Sequence, residues 1–447
     1  MSLNRFVSTI LNISPDRILD LDVLEHQDSS VSVYVRLIPD STTVCPLCKG
    51  NVYIHGYTPR KLVHAVLSNR NCTIHYRQRR YRCRSCEYTF KENNPFINSS
   101  ENLTYETKIN ILKDLKAPNM TYTYVSKRYN VSTTKVLRLF DKHVSIPRKT
   151  LPEVLSMDEH YFPESDYDSL YCCLLMDFNT GELIDVLPDR KKEYLDYYFN
   201  DIRNSTLDAS TSSSELDNVK YLSIDLYEPY KDIALQYFKD IVICADSFHV
   251  LEHLTKAFRN VRLKCRRSTQ DEDIAYLLTK FSYVFDHDTD LDNAAKYNKR
   301  FHRYLNRRQI QEICFRHFPE LKKAYDLKEG YIHFNNTATV SNAAELLAAQ
   351  IVAFADCGIR EYIEFYNLLI HWNKEIVNSF TIINGRRINN SYIESRNRLL
   401  ELLIQNANGF RNFKRTRNRI LYCFNKNDNF KIKHYKTLWK GHWMSAL

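Results

Sequence analysis

Glycine is scarce in this chain, at eight of 447 residues. Loops that cradle nucleotide phosphates depend on glycine, and neither GxGxxG nor GxxxxGK[ST] occurs, which excludes a dinucleotide fold of that type and a P-loop. Long apolar runs are missing as well: none reaches the roughly eighteen residues of a membrane span. The start, MSLNRFVSTILNIS, lacks the pattern of an export signal. These absences predict a cytoplasmic protein with no membrane partner. Without export, the twelve cysteines read as metal ligands and core thiols rather than disulfides. What remains is ordinary for a folded protein, 44% hydrophobic and 26% charged, with length for two to four domains.

The net charge of +10 is unevenly spread. Residues 41–150 hold 20 Lys or Arg against 6 Asp or Glu, and residues 395–447 hold 12 against 2. The rest of the chain is therefore acidic. Basic ends that grip phosphates around a middle that holds cations would give this pattern; solvated basic surface is the plainer alternative.

Cys45-Pro-Leu-Cys48 and Cys83-Arg-Ser-Cys86 are two knuckles 34 residues apart. Two such knuckles bring four thiolates around a structural zinc. Cys72, His55, His64 and His75 are spare ligands nearby. Between the knuckles, CTIHYRQRRYRC alternates apolar and basic residues like a half-buried strand, so Arg79, Arg80 and Arg82 are candidates for the phosphate backbone.

Residues 105–116, 121–130 and 131–144 read as three short helices, with Pro118 at the first break and Ser132 as an N-cap. Val136, Phe140 and Val144 form the apolar stripe of the third. Thr133, Thr134, Lys135 and Arg138 are left facing outward, the layout of a helix-turn-helix recognition helix. A plain three-helix bundle has the same pattern.

From residue 151 the sequence turns to strands. LPEVLSMDEHYF, a hairpin turning at Asn179-Thr180-Gly181, a helix over 191–203, VKYLSIDLYEPY, a helix in PYKDIALQYF and DIVICADSFHV give the order β-β-β-α-β-α-β. That is the order of a ribonuclease-H-like domain, whose first and fourth strands are neighbours. Asp158 and Asp225 would then reach the same ion. Magnesium prefers such oxygen ligands, and a pair of ions serves phosphoryl displacement. Glu159 is the rival of Asp158, since adjacent residues of a strand face opposite ways. Asp246 and Ser247 also suit a helix cap, and Ser391-Tyr-Ile-Glu394 matches a capping box.

Taken together, the knuckles, the helix-turn-helix, SMDEHYF, MDFNTGELIDVLPDRKKEYLDYYF, SIDLYEPY, ADSFHV and NNSYIESRNRLLELLIQNANGFRNFKRTRNRI resemble the ISL-three family of bacterial insertion-sequence transposases. The resemblance runs along nearly the whole chain. It implies an α/β multidomain protein: a zinc-binding domain (1–100), a helix-turn-helix (101–150), a ribonuclease-H-like core (151–250), a helical insertion (251–380), the last part of the core (381–425) and a basic tail (426–447). It implies Asp158, Asp225 and Glu394 as the catalytic triad for two magnesium or manganese ions, and Asp246 with His249 as an accessory Asp-x-x-His pair. Arg411, Lys414 and Arg415 match the basic segment after the glutamate and are further DNA-binding candidates. The activity implied is cleavage at the ends of an insertion sequence followed by strand transfer. The partners implied are element-end and target DNA and a second protomer, at the bacterial nucleoid. Ser395 stands where many relatives have glycine, and Leu399-Leu400 and Ile404-Gln405 replace basic positions. The rivals are a transposase-derived regulator that no longer cuts and a nuclease of the same fold.

The insertion carries helical apolar spacing and few strand signals. Trp372 within it is a candidate for stacking on an unpaired base, with core packing as the alternative.

Overall fold

The computed structural model describes residues 11, 13–67, 70–97, 101–162, 169–208, 212–407 and 412–432. Two compact units divide the chain: residues 1–147 with 399–447, and residues 148–398. Among the described residues no helix is long and apolar enough to cross a membrane.

The first unit opens with a five-stranded sheet. β1 (Ile18–Glu25) pairs antiparallel with β2 (Val31–Leu37), and β2 lies parallel to β4 (Arg70–Cys83). β3 (Val52–Leu67) forms a long hairpin with β4, and β5 (Thr89–Lys91) pairs with the far end of β4. β4 alternates as its sequence predicts, with Cys72, Ile74 and Tyr76 turned into a core shared with Val33, Val35 and Leu62. Arg79 departs from the expected outward set. It is buried, paired with Glu92 at 2.8 Å and bonded to the Leu37 carbonyl. The carboxylate that lets an arginine enter this core arrives on the segment after β5, where alternation in β4 gives no sign of it.

Three helices follow: α1 (Tyr105–Asp114), α2 (Tyr122–Arg128) and α3 (Thr133–His143). Each starts at a hydroxyl cap, Thr104, Thr121 and the expected Ser132, whose side chains accept the N–H three residues on. Val136, Leu139 and Phe140 form the buried stripe of α3.

The second unit holds a mixed sheet of β6 (Val154–Tyr161), β7 (Tyr171–Asp177), β8 (Leu183–Leu187), β9 (Tyr221–Ile224) and β10 (Val242–Ala245), in the order β10-β9-β6-β7-β8. β6 and β9 are parallel neighbours, with Ser156 opposite Ser223. The β7–β8 turn falls where the sequence predicts, with Gly181 at φ 67°, the conformation glycine adopts without strain. α4 (Lys192–Thr206) and α5 (Glu228–Tyr237) bury Leu195, Phe199, Ile233 and Ala234 in the core of this unit.

Six helices follow β10: α6 (Ser247–Ser268), α7 (Glu272–Lys280), α8 (Arg307–His317), α9 (Pro319–Thr337), α10 (Ala343–Ala355) and α11 (Ile363–His371), with the short α12 (Asn373–Asn378) after them. Trp372 is buried in their core with the Lys231 ammonium 4.9 Å over its ring, so core packing is its role. A two-stranded hairpin that the sequence did not announce, β11 (Lys296–Asn298) with β12 (Arg303–Leu305), interrupts the helices. Strands of three residues are too short for a period to register.

After a turn pairing Ile382–Ile383 (β13) with Arg386–Arg387 (β14) come α13 (Ser391–Ala407) and α14 (Phe413–Phe424). The expected segment 381–425 is thus split: α13 belongs to the second unit through Arg398, and α14 belongs to the first. The cause is packing. Tyr422 stacks edge-on against Phe140 and donates to the Leu112 carbonyl at 2.8 Å. Arg419, 2% exposed, donates to the Ala117 and Met120 carbonyls at 3.1 and 2.7 Å.

Candidate active site and metal centre

Asp158 is the fifth residue of β6, Asp225 follows the last residue of β9, and Asp246 follows β10 at the N-cap of α6. Because β6, β9 and β10 are consecutive neighbours, three carboxylates arise from three adjacent strands. All three are buried. Glu159 faces away, as strand alternation requires. It pairs with Arg190, whose guanidinium lies between the rings of Tyr171 and Tyr227 at 4.3 and 4.6 Å.

Glu394 lies in the first turn of α13. Its first turn closes through the Glu394 N–H, which donates to the Asn390 carbonyl at 3.1 Å. Two asparagines on the same helical face, four residues before Glu394 and three after, fasten this turn to the strands. Asn390 donates its side-chain amide to the Met157 carbonyl at 3.3 Å and its backbone N–H to Asp246 Oδ1 at 3.2 Å. Asn397 donates Nδ2 to Asp158 Oδ2 at 2.8 Å. The Glu394 carboxylate itself makes no hydrogen bond or ion pair among the described residues. Sequence reasoning passed over both asparagines. The spacing Asn390, Glu394, Asn397, one polar face around an acid, was the available signal.

Burial first and the Asp225 charge second push the Asp158 carboxyl up to about 7. Asp225 is raised to about 6, by burial against the pull of His249 and Arg190. Burial also raises Asp246, with the Asn390 N–H opposing, and raises Glu394, with the Asp246 charge adding to it. Desolvation and like charge disfavour ionised carboxylates, and a cation reverses both effects. Asp225 Oδ1 and Asp246 Oδ2 are buried without a hydrogen-bond donor. His249 Nε2 stands 4.0 Å from Asp246 Oδ2, and its Nδ1 stands 3.5 Å from Glu252. The two orphaned oxygens of Asp225 and Asp246 suit a hard divalent cation, although the carboxylates of Asp158, Asp225, Asp246 and Glu394 do not form a mutually close ligand set among the described residues. Asp246, which the sequence relegated to an accessory, is 1% exposed and bears electrostatically on Asp158, Asp225 and Glu394 alike.

In the first unit the two knuckles meet. Cys45 Sγ is 3.6 Å from Cys86 Sγ, and Cys48 Sγ is 3.4 Å from both Cys83 and Cys86. The four sulfurs are the one mutually close metal-ligand set among the described residues. Zinc at about 2.3 Å from each sulfur spaces a tetrahedron's corners by roughly 3.8 Å, so the set fits zinc after a slight expansion. Each knuckle turns through a left-handed residue, Lys49 and Glu87. Its N–H groups point at sulfur: those of Cys86 and Ser85 bring the Cys83 thiol down to about 6. A Cβ on Gly50 would come within 2.9 Å of Ser85 Oγ, so the knuckles close over a glycine. Cys72 and His64 are occupied elsewhere, Cys72 in the sheet core and His64 on Thr104 at 3.1 Å.

The DNA-facing candidates divide. Arg80, Thr134, Arg138 and Lys414 are exposed. Arg82 pairs with Glu87 at 2.9 Å, and Arg415 pairs with Asp141 on α3 at 2.6 Å. Thr133 bonds Ser126 at 3.0 Å, and Lys135 bonds Asn102. Arg411 lies outside the described residues.

Compared with known protein families, residues 155–420 match the family model for ISL3 DDE transposases, described as "Transposase". No curated protein matches the chain.

Proposed function

The chain belongs to the ISL3 family of DDE transposases, and from that membership we propose that it binds the ends of an insertion sequence, cuts there and joins the freed strand to target DNA. The observation that carries this reading is the clamp of α13 on β6. It ties the helix that carries Glu394, remote in sequence, to the strand of Asp158. The order β10-β9-β6-β7-β8, with the first strand beside the fourth, supports a ribonuclease-H-like core.

In this reading Asp158, Asp225 and Glu394 hold two magnesium or manganese ions. When bound, such ions activate the attacking oxygen and stabilise the leaving one. The protein's own groups supply positioning. Asn397 fixes the rotamer of Asp158, and Asn390 ties the start of α13 to Asp246 and β6. Asp246 adds negative charge behind the site, and His249 beside it is placed to meet a proton or a phosphate. Arg190, stacked between two tyrosines, is a preorganised cation near Asp225. Both chemical steps are in-line displacements at phosphorus: water attacks at the element end, and the 3′ hydroxyl thus released attacks the target.

DNA is held by the first unit in the same reading. α3 acts as the recognition helix of a helix-turn-helix, with Thr134 and Arg138 exposed on it. The zinc-bound knuckles stabilise the sheet that precedes it. Two ends held together require a homodimer or a larger assembly, working on DNA in the bacterial cytoplasm.

The test incubates purified protein and magnesium with labelled element ends. Wild type is expected to nick and join. Asp225→Ala is expected to bind the ends and do neither. Equal activity in the two would refute the catalytic assignment of Asp225, and end binding by wild type without cleavage would transfer the reading to a non-cutting regulator.

A further inference from the structure

α6 is a basic helix in an acidic stretch of chain. It carries six Lys or Arg against one acid, Glu252, whereas the sequence between the two basic ends is acidic as a whole. Val250, Leu254, Ala257, Phe258, Val261 and Cys265 recur at helical spacing and form its buried stripe. Three of the cations are engaged by neighbouring elements. Lys264 pairs with Glu320 on α9 at 2.8 Å, Arg262 donates to the Leu278 carbonyl, and Arg266 donates to Thr279 Oγ1 at 2.9 Å. Lys256, Arg259 and Arg267 are exposed, and among the described residues none of them pairs with a carboxylate.

These three lie on the side of the helix away from its buried stripe. Each residue turns an α-helix by about 100°, so Lys256 and Arg267 fall within roughly 20° of one line and Arg259 about 60° to one side of it. Followed toward the start of the helix, that line passes through His249, two turns before Lys256. His249 Nε2 is 4.0 Å from Asp246 Oδ2, and its Nδ1 is 3.5 Å from Glu252, the single acid of this face. One row of side chains therefore leads from the carboxylates out along α6. The cations around it are crowded: burial first, then the Arg259 and Arg266 charges, push Arg262 below the ordinary arginine value. A bound polyanion relieves such repulsion.

We infer that this row is a track for duplex DNA, with Lys256, Arg259 and Arg267 taking backbone phosphates of the duplex that enters the carboxylate site. The inference rests on the proposed reaction, which sets a phosphodiester at those carboxylates. A rise of about 1.5 Å per residue puts Lys256 about 15 Å and Arg267 about 32 Å along the helix from Asp246. Phosphates of a strand advance about 3.4 Å per base pair, so the track meets those roughly 4–9 base pairs from the reacting one. An acidic protein partner has no reason to start at His249, whereas a DNA strand held for reaction already passes there. Element DNA and target DNA offer the same phosphates, and the position of the contacts tells them apart.

The experiment uses the full-length protein without magnesium and two duplex probes, an uncut element end with its flank and an element end already joined to target DNA. Lys256→Ala/Arg259→Ala/Arg267→Ala is expected to weaken binding about tenfold or more and to lower the slope of affinity against salt by roughly 3. Lys256→Arg/Arg259→Lys/Arg267→Lys keeps the charges and should bind like wild type. Lys239→Ala/Lys323→Ala/Lys374→Ala removes equal charge from exposed positions elsewhere in the second unit and should lose much less. Ethylating phosphates about 4–9 base pairs from the reacting position should hinder wild type and make no difference to the triple alanine variant. Interference on the element side assigns the track to the element end, and interference only on the outer side of the joined probe assigns it to the target. Unchanged affinity in the triple alanine variant overturns the inference, as do an equal loss in the control variant and the absence of interference in that window. Adding magnesium to the wild type then tests end cleavage, so the proposed function can fail while the track stands.

Discussion

Asn397 donates its side-chain amide to Asp158 Oδ2 across 239 residues of chain, at 2.8 Å. One hydrogen bond therefore links the helix of Glu394 to the strand of the first acid. Asn397→Ala should preserve the fold and lower the single-turnover rate of end cleavage about 10- to 100-fold, the usual effect of losing the partner that orients a metal ligand. An unchanged rate would show that Asp158 needs no such partner.

Stability should depend on pH with an unusual sign. Asp158 and Asp225 are raised to about 7 and about 6, so between the ordinary carboxylate range and those values the folded protein binds more protons than the unfolded chain. Stability contributed by these groups is then full at low pH and lost as pH rises toward 7. Metal-free protein should show a falling Tm over that window, and magnesium should restore it increasingly toward neutral pH. A magnesium effect equal at pH 5 and pH 8 would contradict this.

Zinc should be present at one ion per chain and should be structural. Cys48→Ser is expected to lose the metal and to loosen β3 and β4, seen as faster amide exchange, while the strands of the second unit keep their protection. Retention of stoichiometric zinc would argue against the four-sulfur site.

Arg419→Ala removes two hydrogen bonds from a buried guanidinium to the Ala117 and Met120 carbonyls. Bonds from a charged donor of this kind are worth roughly 1.5–3 kcal/mol, so urea unfolding of the first unit should shift by about that amount. α1 to α3 should lose amide protection together with α14. If α14 alone frays, the four helices are not one cooperative group.

The residues that were legible in the sequence act through local patterns. Knuckle spacing placed four sulfurs within bonding reach of one ion, Ser132 was readable as a cap, and the order of strands implied that β6 and β9 are neighbours. What escaped depends on partners far along the chain. Arg79 enters the core because Glu92 follows it, and α14 joins the first unit because Tyr422 and Arg419 find α1 and the α1–α2 turn. Asn390 and Asn397 read as ordinary polar residues of a helix until the strand beneath them is known. The hairpin at residues 296–305 was hidden for another reason: three-residue strands carry no period.

The backbone of Asn390 meets Asp246 144 residues after that acid has been made. Ribosomes add roughly 5–20 residues each second, so this interval lasts about 7–30 s. Throughout it the strands bearing Asp158, Asp225 and Asp246 exist while Glu394 does not. On the proposed assignment of Glu394, a chain whose synthesis stops before that residue would hold the three strand carboxylates without the fourth acid and would not cut.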